Sequence, residues 1–395
     1  MSTRRASRRS GKAGRNPAAP PTIELIGARQ GEHSYPVQVG EGAIRGLGPL
    51  LEGVDRVALV TCRRVLATPL GAEVRDRLAA AAPLAPVHLL ADGERGKTLA
   101  ELERAAVALL RAGCTRRSLV VALGGGAVTD AAGFLAATFM RGVPWIAVPT
   151  TILAMVDAAI GGKTGANLPV AKNAVGAFHA PRAVLADPRA LDTLPRRELA
   201  SGKGEVVKYG ALDPRLLASF SEACAAPRMD PAVLAACARI KVDVVAEDPE
   251  EHGPRKLLNL GHTYGHGVEA AGRFSRYTHG EAVAVGLAFA FRLSRRLGRV
   301  GEAAVEAVEA ALRRAGLPVR VPARLAGEAA RAMAFDKKRT AAGLRWVLPR
   351  AQDDAWTVEW DVEVEEGAVE ETVHEVAEPV RARRVGRTAR GRRTP

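Results

Sequence analysis

The chain has 395 residues, 47% hydrophobic and 25% charged, a balance that excludes wholesale disorder and a membrane-embedded protein and leaves room for two packed domains. Its formal net charge of +14 resides mainly in two tails: residues 1–16 hold six basic side chains and residues 381–395 hold seven arginines, with no acid in either, leaving a body of only +1. That distribution favours solvated tails over a specific nucleic-acid binder, and both ends, 1–21 and 379–395, are expected to be disordered because Arg among Ser, Gly and Pro cannot bury apolar surface. In chain order, 22–26 and 35–39 read as an opening hairpin, followed by a strand at 56–61, a helix at 71–82, a strand at 87–90, a helix at 99–112, a strand at 118–123, a helix at 129–140 and a strand at 145–148. Strands alternating with helices imply parallel pairing and an α/β layered domain with a Rossmann-like sheet over 22–187. From about Asp187 strand signals fade, and Ala- and Leu-rich amphipathic stretches predict a mostly α-helical domain over 188–378, with the active site in the interdomain cleft. Strands are expected again at 344–348 and 356–364, with a short helix behind them.

Cys62, Cys114, Cys224 and Cys237 are scattered without a C-x-x-C pair, as expected of a cytoplasmic protein, and no apolar stretch follows the basic N-terminus, so no secretory signal is expected. The apolar run 118–140 is broken by three glycines, which favours strand, loop and helix over a membrane span.

Gly124, Gly125 and Gly126 follow an apolar strand and open a helical stretch, a junction where backbone N–H groups can approach a pyrophosphate. The run is not the G-x-G-x-x-G fingerprint, because no glycine occupies the sixth position. Asp92, Glu94 and Lys97 follow the preceding strand, where contacts to a cofactor ribose are expected. Lys163 after Gly161-Gly162 suits a phosphate or carboxylate, but the spacing fails the Walker pattern. Glu205, His262, His266 and His279 are metal candidates, two of the histidines four apart on one helix face, and spacing leaves open whether His266 is a ligand or an acid–base group. Arg141, Lys208, Lys241, Arg255, Lys337 and Lys338 lie in otherwise apolar or glycine-rich segments and suggest an anionic substrate.

Taken together and in order, Gly124-Gly125-Gly126-x-x-x-Asp130, Phe139-Met140-Arg141-Gly142, Val148-Pro149-Thr150-Thr151, Val156-Asp157, Gly161-Gly162-Lys163-Thr164, Lys172-Asn173, Glu205-Val206-Val207-Lys208, Asn259-x-Gly261-His262-Thr263-x-Gly265-His266, His279-Gly280-Glu281 and Asp336-Lys337-Lys338 resemble the 3-dehydroquinate synthase family over roughly 55 to 350. The resemblance implies a homodimeric lyase of the shikimate pathway, dependent on NAD and on one zinc or cobalt ion. It would convert 3-deoxy-D-arabino-heptulosonate 7-phosphate to 3-dehydroquinate and phosphate by transient oxidation, phosphate β-elimination, re-reduction and intramolecular aldol closure. On the matching motifs it implies Glu205, His262 and His279 as metal ligands, and Asp92, Glu94, Lys97, Gly125, Gly126, Asp130, Thr150, Thr151 and Lys172 for NAD. Lys163, Asn173, Asn259, His266, Lys338 and Arg141 would surround the substrate phosphate, Lys241 and Arg255 its carboxylate, and Asp157 and Lys208 the reacting hydroxyls, with Glu251 a proton acceptor.

Departures from the family pattern are Cys62 where an acid is common, Leu168 and Ala171 beside the Lys-Asn pair, and Lys203 and Gly204 before Glu205. The nearest rival is a sibling cyclase acting on sedoheptulose 7-phosphate or glucose 6-phosphate, a substrate that would leave Lys241 and Arg255 without a carboxylate. A polyol dehydrogenase of similar architecture would have less need of so many cations, and a nucleic-acid-binding module is supported by the tails alone.

Overall fold

The computed structural model describes residues 22–333, 339–340 and 343–378; the expected tails, Lys337 and Lys338 lie outside the described residues. The opening hairpin is β1 (Glu24–Gln30) against β2 (His33–Val39), antiparallel, with β1 burying alternate residues as an edge strand should. Next come α1 (Leu47–Leu50), β3 (Val57–Cys62), α2 (Arg63–Leu66), α3 (Pro69–Ala81), β4 (His88–Leu90), α4 (Leu99–Arg111), β5 (Leu119–Gly124), α5 (Gly126–Thr138) and β6 (Trp145–Pro149). Thr68 and Thr98 set the starts of α3 and α4 by accepting backbone N–H bonds from Gly71 and Glu101.

Every residue of β3, β5 and β6 is buried, the pattern of parallel strands covered on both faces. Two hairpin strands, β7 (Lys163–Leu168) and β8 (Ala171–Phe178), then precede β9 (Ala183–Ala186), which enters the main sheet between β2 and β6. The seven-stranded order is β1-β2-β9-β6-β5-β3-β4, parallel except for β1. Its direction reverses between β3 and β5, so the crevice for a ligand lies beyond their carboxyl ends, at Cys62 and Gly124.

The expected parallel sheet is present. Helix α5, however, begins three residues before the expected start, because Gly125 takes the N-cap position and the glycines open the helix instead of forming a separate loop. Hairpin β7–β8 and strand β9 were not anticipated from the sequence.

Beyond β9 the chain is helical: α6 (Arg196–Leu212), α7 (Leu217–Ala225), α8 (Pro231–Glu247), α9 (His262–Ala271), α10 (His279–Arg296), α11 (Glu302–Arg314), α12 (Ala323–Met333) and, after a hairpin of Gly343–Gln352 with Ala355–Glu363, α13 (Glu366–Val376). Helix α10 starts in a capping box, Thr278 and Glu281 each satisfying the other's backbone N–H. It is buried over most of its length against α6 and α9. Tyr264 of α9 stacks on Phe289 of α10 at 4.2 Å between centroids, and Phe289 on Trp346 of the hairpin at 5.4 Å.

Candidate active site

Glu205, His262 and His279 come from three helices, and each adjoins a glycine where backbones touch. A Cβ on Gly204 would clash with the backbone of Gly280, one on Gly280 with the Ser201 carbonyl, and one on Gly286 with the Gly261 carbonyl. Side-chain-free contacts therefore draw α6, α9 and α10 together at the ligand positions. Gly204, a departure in the sequence, takes part in this approach.

One ligand atom from each of the three side chains lies within 4.8 Å of the others. Nε2 of His279 is 3.3 Å, and Nε2 of His262 is 3.6 Å, from Oε1 of Glu205. The opposite ring nitrogens are occupied: Nδ1 of His262 lies 3.1 Å from the Leu260 carbonyl and Nδ1 of His279 is 3.2 Å from Oε2 of Glu269. Such partners orient imidazoles so that Nε2 faces a metal. Both carboxylate oxygens of Glu205 are buried without a hydrogen bond, although Lys208 Nζ sits 2.5 Å from Oε2. Two imidazoles, one carboxylate and an orphaned buried acceptor fit a zinc-like divalent ion with an open position.

Glu269 is a residue that sequence reasoning missed. It lies seven residues after His262 on α9, two turns along the same face, which was the available signal.

Charge around the cluster is dense and dry. Burial penalises the Glu205 carboxylate, but the Lys208 ammonium and the neighbouring His279 and His262 rings outweigh it and hold its pKa down at about 2. Burial also opposes charge on His279, yet the neighbouring carboxylates of Glu205 and Glu269 raise its pKa to about 10, whereas burial and the Lys208 charge push His262 down. Asp157 sits in a single π-helical turn, 154–158, a device often found at functional sites. It pairs with Lys241 and lies 3.7 Å from Lys208 Nζ, so a segment following β6 is tied electrostatically to α6 and α8. Burial lowers Lys241 to about 8 despite the Asp157 charge, while Asp157 itself is held below the usual carboxylate range because Lys241 and Lys208 override its burial.

Towards the sheet, the first turn of α5 has no side-chain cap at Gly125, leaving its N–H donors at the crevice. A Cβ on Gly125 would stand 2.9 Å from the Thr151 methyl, so glycine keeps that approach open. The Thr150 N–H donates to the Gly124 carbonyl at 2.9 Å and the Thr151 hydroxyl caps the following turn at Ala154. Lys97 is buried and bridges Asp130 and Asn173, and Asn167, also missed in the sequence, orders Asn173 and Glu94. Lys172 lies over the Phe274 ring at 4.2 Å and 4.0 Å from Glu269. Uncapped donors, hydroxyls and a lysine at the switch point fit a dinucleotide pyrophosphate.

Lys163 pairs with Glu251, whose other oxygen accepts from Asn259 Nδ2 at 2.7 Å. Arg255 is buried and donates to the Gly161 carbonyl at 3.0 Å and to the Pro249 carbonyl, with Nε left over. The His266 ring centroid is 5.5 Å from that of His262. Asp92 lies 3.7 Å from Arg64 beside the end of β4. Arg141 follows Met140 in successive left-handed conformations, φ 51° and 68°, which non-glycine residues adopt at a cost. Among the described residues no hydrogen bond or ion pair joins Arg141 to the metal ligands, and Lys338 lies outside the described residues.

Comparison with known proteins matches two consecutive stretches of the chain. Residues 87–201 match a family described as 3-dehydroquinate synthase N-terminal, and 202–339 one described as 3-dehydroquinate synthase C-terminal. A 3-dehydroquinate synthase of Halorhodospira halophila is 46% identical over 334 residues, 82% of this chain and 92% of its own length. That of Geobacter metallireducens is 41% identical over 336 residues, 82% and 93%. Among solved structures, 2-epi-5-epi-valiolone synthase from Streptomyces hygroscopicus subsp. jinggangensis 5008, with NAD+ and Zn2+ bound, superposes with TM-score 0.76 at 26% identity over 88% of this chain and 98% of that one. A 2-deoxy-scyllo-inosose synthase complexed with carbaglucose-6-phosphate, NAD+ and Co2+ shares the fold, with TM-score 0.74 at 24% identity over 89% and 100%.

Proposed function

The chain belongs to the 3-dehydroquinate synthase family, and from that membership we propose that its metal cluster and glycine junction form one site converting 3-deoxy-D-arabino-heptulosonate 7-phosphate to 3-dehydroquinate and phosphate. The observation that carries the reading is the buried, hydrogen-bond-free carboxylate of Glu205 facing two Nε2 atoms whose opposite nitrogens are already held. Glu205, His262 and His279 would hold one divalent ion, zinc or cobalt, and the crevice at Gly125, Gly126, Asp130, Thr150, Thr151 and Lys172, with Asp92, Glu94 and Lys97, would hold NAD. Those groups supply, when bound, Lewis acidity at the substrate hydroxyls and a reversible hydride acceptor.

The protein's own part is binding, orientation and proton traffic. Asp157 and Lys208 are proposed to contact the reacting hydroxyls, with Asp157, kept ionised by Lys241 and then Lys208, accepting hydrogen bonds from them. Lys163, Asn173, Asn259, His266, Lys338 and Arg141 are proposed to take the phosphate, stabilising the charge of the leaving group. Glu251, in contact with both Lys163 and Asn259, is proposed to take up a proton beside it. Lys241 and Arg255 are proposed to meet the carboxylate and to reject sugars that lack one. The closing aldol step would need chiefly a held conformer.

Within this reading the division at 187 separates the cofactor half from the metal half. A homodimer is proposed from the family resemblance, to be checked by sedimentation. No described helix is long and apolar enough to cross a membrane. Four free, buried cysteines support a place in the reducing cytoplasm.

The decisive experiment measures phosphate release with NAD and zinc present from the heptulosonate 7-phosphate, sedoheptulose 7-phosphate and glucose 6-phosphate, while following absorbance of NADH. Release from the first alone, without NADH accumulating, is expected; release from another sugar moves the chain to a sibling cyclase, and stoichiometric NADH makes it a dehydrogenase.

Two further outcomes are expected. Lys241 is charged below about pH 8 and neutral above it, so KM for the carboxylate substrate rises with pH beyond that point, approaching roughly tenfold per unit. Lys241→Arg moves the rise to higher pH; a KM flat to pH 9.5 in the parent protein would contradict the assignment. Glu269→Gln weakens zinc binding about 10- to 100-fold in chelator competition, because His279 loses the carboxylate that orients it.

A further inference from the structure

The fold places the two ends of a bound dinucleotide. Asp157, in the segment following β6, is tied to Lys208 beside the metal cluster, so the nicotinamide end belongs on the β6 side and the adenosine end over β3 and β4. In such folds a carboxylate at the end of the strand next to the glycine junction accepts from the ribose hydroxyls and repels a 2′-phosphate, whereas an arginine there accommodates it.

Strand β3 lies next to β5 and ends at Cys62, which is buried and in register with Leu90 of β4. A thiol is a weak acceptor and carries no charge in this apolar setting, where burial and the neighbouring Asp92 raise its pKa. Arg63 and Arg64 follow immediately. A cavity of about 370 Å³ opens there, lined by Arg63, Leu90, Asp92, Glu101 and Arg104. Both of its carboxylates are already answered, Asp92 by Arg64 at 3.7 Å and Glu101 by Arg104. Arg63 is exposed, with no carboxylate among the described residues at ion-pair distance. Of the two guanidinium groups that line the cavity, Arg104 is paired with Glu101 and Arg63 has no carboxylate partner among the described residues, which leaves Arg63 available at the place where the two nicotinamide dinucleotides differ.

We propose that this pocket accepts the 2′-phosphorylated nicotinamide dinucleotide, NADP, as well as NAD, with Arg63 receiving the 2′-phosphate in the space that Cys62 leaves uncharged. The inference rests on the cofactor reading above. Arginine suits the phosphate because its planar fork presents paired donors to the oxygens.

The test is calorimetric titration of the full-length, zinc-loaded protein with NAD+ and with NADP+. We expect the two dissociation constants to lie within about tenfold, a gap of roughly 1.4 kcal/mol. Arg63→Ala should weaken NADP+ by up to about fivefold, the range of an exposed ion pair, and leave NAD+ unchanged. Cys62→Asp should weaken NADP+ by about tenfold or more through like-charge repulsion, without weakening NAD+. NADP+ binding more than tenfold weaker than NAD+, or an Arg63→Ala change equal for both, overturns the proposal while leaving the NAD site standing. Binding of neither dinucleotide overturns the cofactor reading itself.

Discussion

Replacing Glu205 with alanine is expected to remove the metal, phosphate release and a large share of thermal stability in one step. The variant should retain no zinc after dialysis, measured by elemental analysis. A metal ion contributes several kcal/mol to stabilising developing charge, so turnover should fall at least about a thousandfold. Lys208, fully buried, would keep only Asp157 at 3.7 Å as its counter-charge. Breaking one side of a buried ion pair costs about 3–5 kcal/mol. At about 2.1 cal/mol/K of unfolding entropy per residue, a chain of 395 residues shifts by roughly 1.2 °C per kcal/mol, so Tm should drop by roughly 4–6 °C in calorimetry. Glu205→Gln preserves the shape and separates the two effects, since its metal should be lost with a smaller fall in Tm. Full zinc stoichiometry in both Glu205→Ala and His262→Ala would refute the ligand set.

The second large effect is expected at a position that carries no chemistry. Gly280→Ala puts a methyl into the Ser201 carbonyl, so α10 must move away from α6. Overpacking of this kind costs typically about 1–3 kcal/mol and sometimes more, beyond what the better helix propensity of alanine, about 1 kcal/mol, returns. Because His279 is the preceding residue, the displacement also spreads the ligand atoms, and zinc affinity should fall together with Tm. Gly367→Ala on α13 is the control: nothing lies within 4 Å of its added methyl, so Tm should hold or rise and zinc binding should not change. Unaltered zinc affinity in Gly280→Ala would show that the helix contact does not set the ligand geometry.

What was legible from sequence follows from how local each signal is. The runs at β3, β5 and β6 are continuously apolar, so their burial is visible without neighbours. Hairpin β7–β8 is not, because Ala171–Phe178 is largely exposed and glycine-bearing. Its place depends on Gly133 of α5, where a Cβ would clash with the Thr164 methyl. Glu205, His262 and His279 were legible through three motifs whose residue types share one chemistry. Glu269 was not, since a single glutamate beside alanines reads as a solvated helix face until His279 from another helix is seen 3.2 Å away. The spacing of His266 likewise could not assign it a role, and Arg255 gave no hint that two backbone carbonyls would hold it.

The aromatic column of Tyr264, Phe289 and Trp346 makes the helices around the cluster optically visible. Tyr264 lies two residues from His262 and two from His266, and Trp346, only 2% exposed, is the far end of the stack. Any rotation of α9 against α10 changes the ring overlap and with it the near-ultraviolet dichroism and emission of that indole. Any such rotation that accompanies loading of the cluster thus carries an intrinsic spectroscopic signal, assignable by subtracting a Trp346→Phe variant and needing neither substrate nor an added dye.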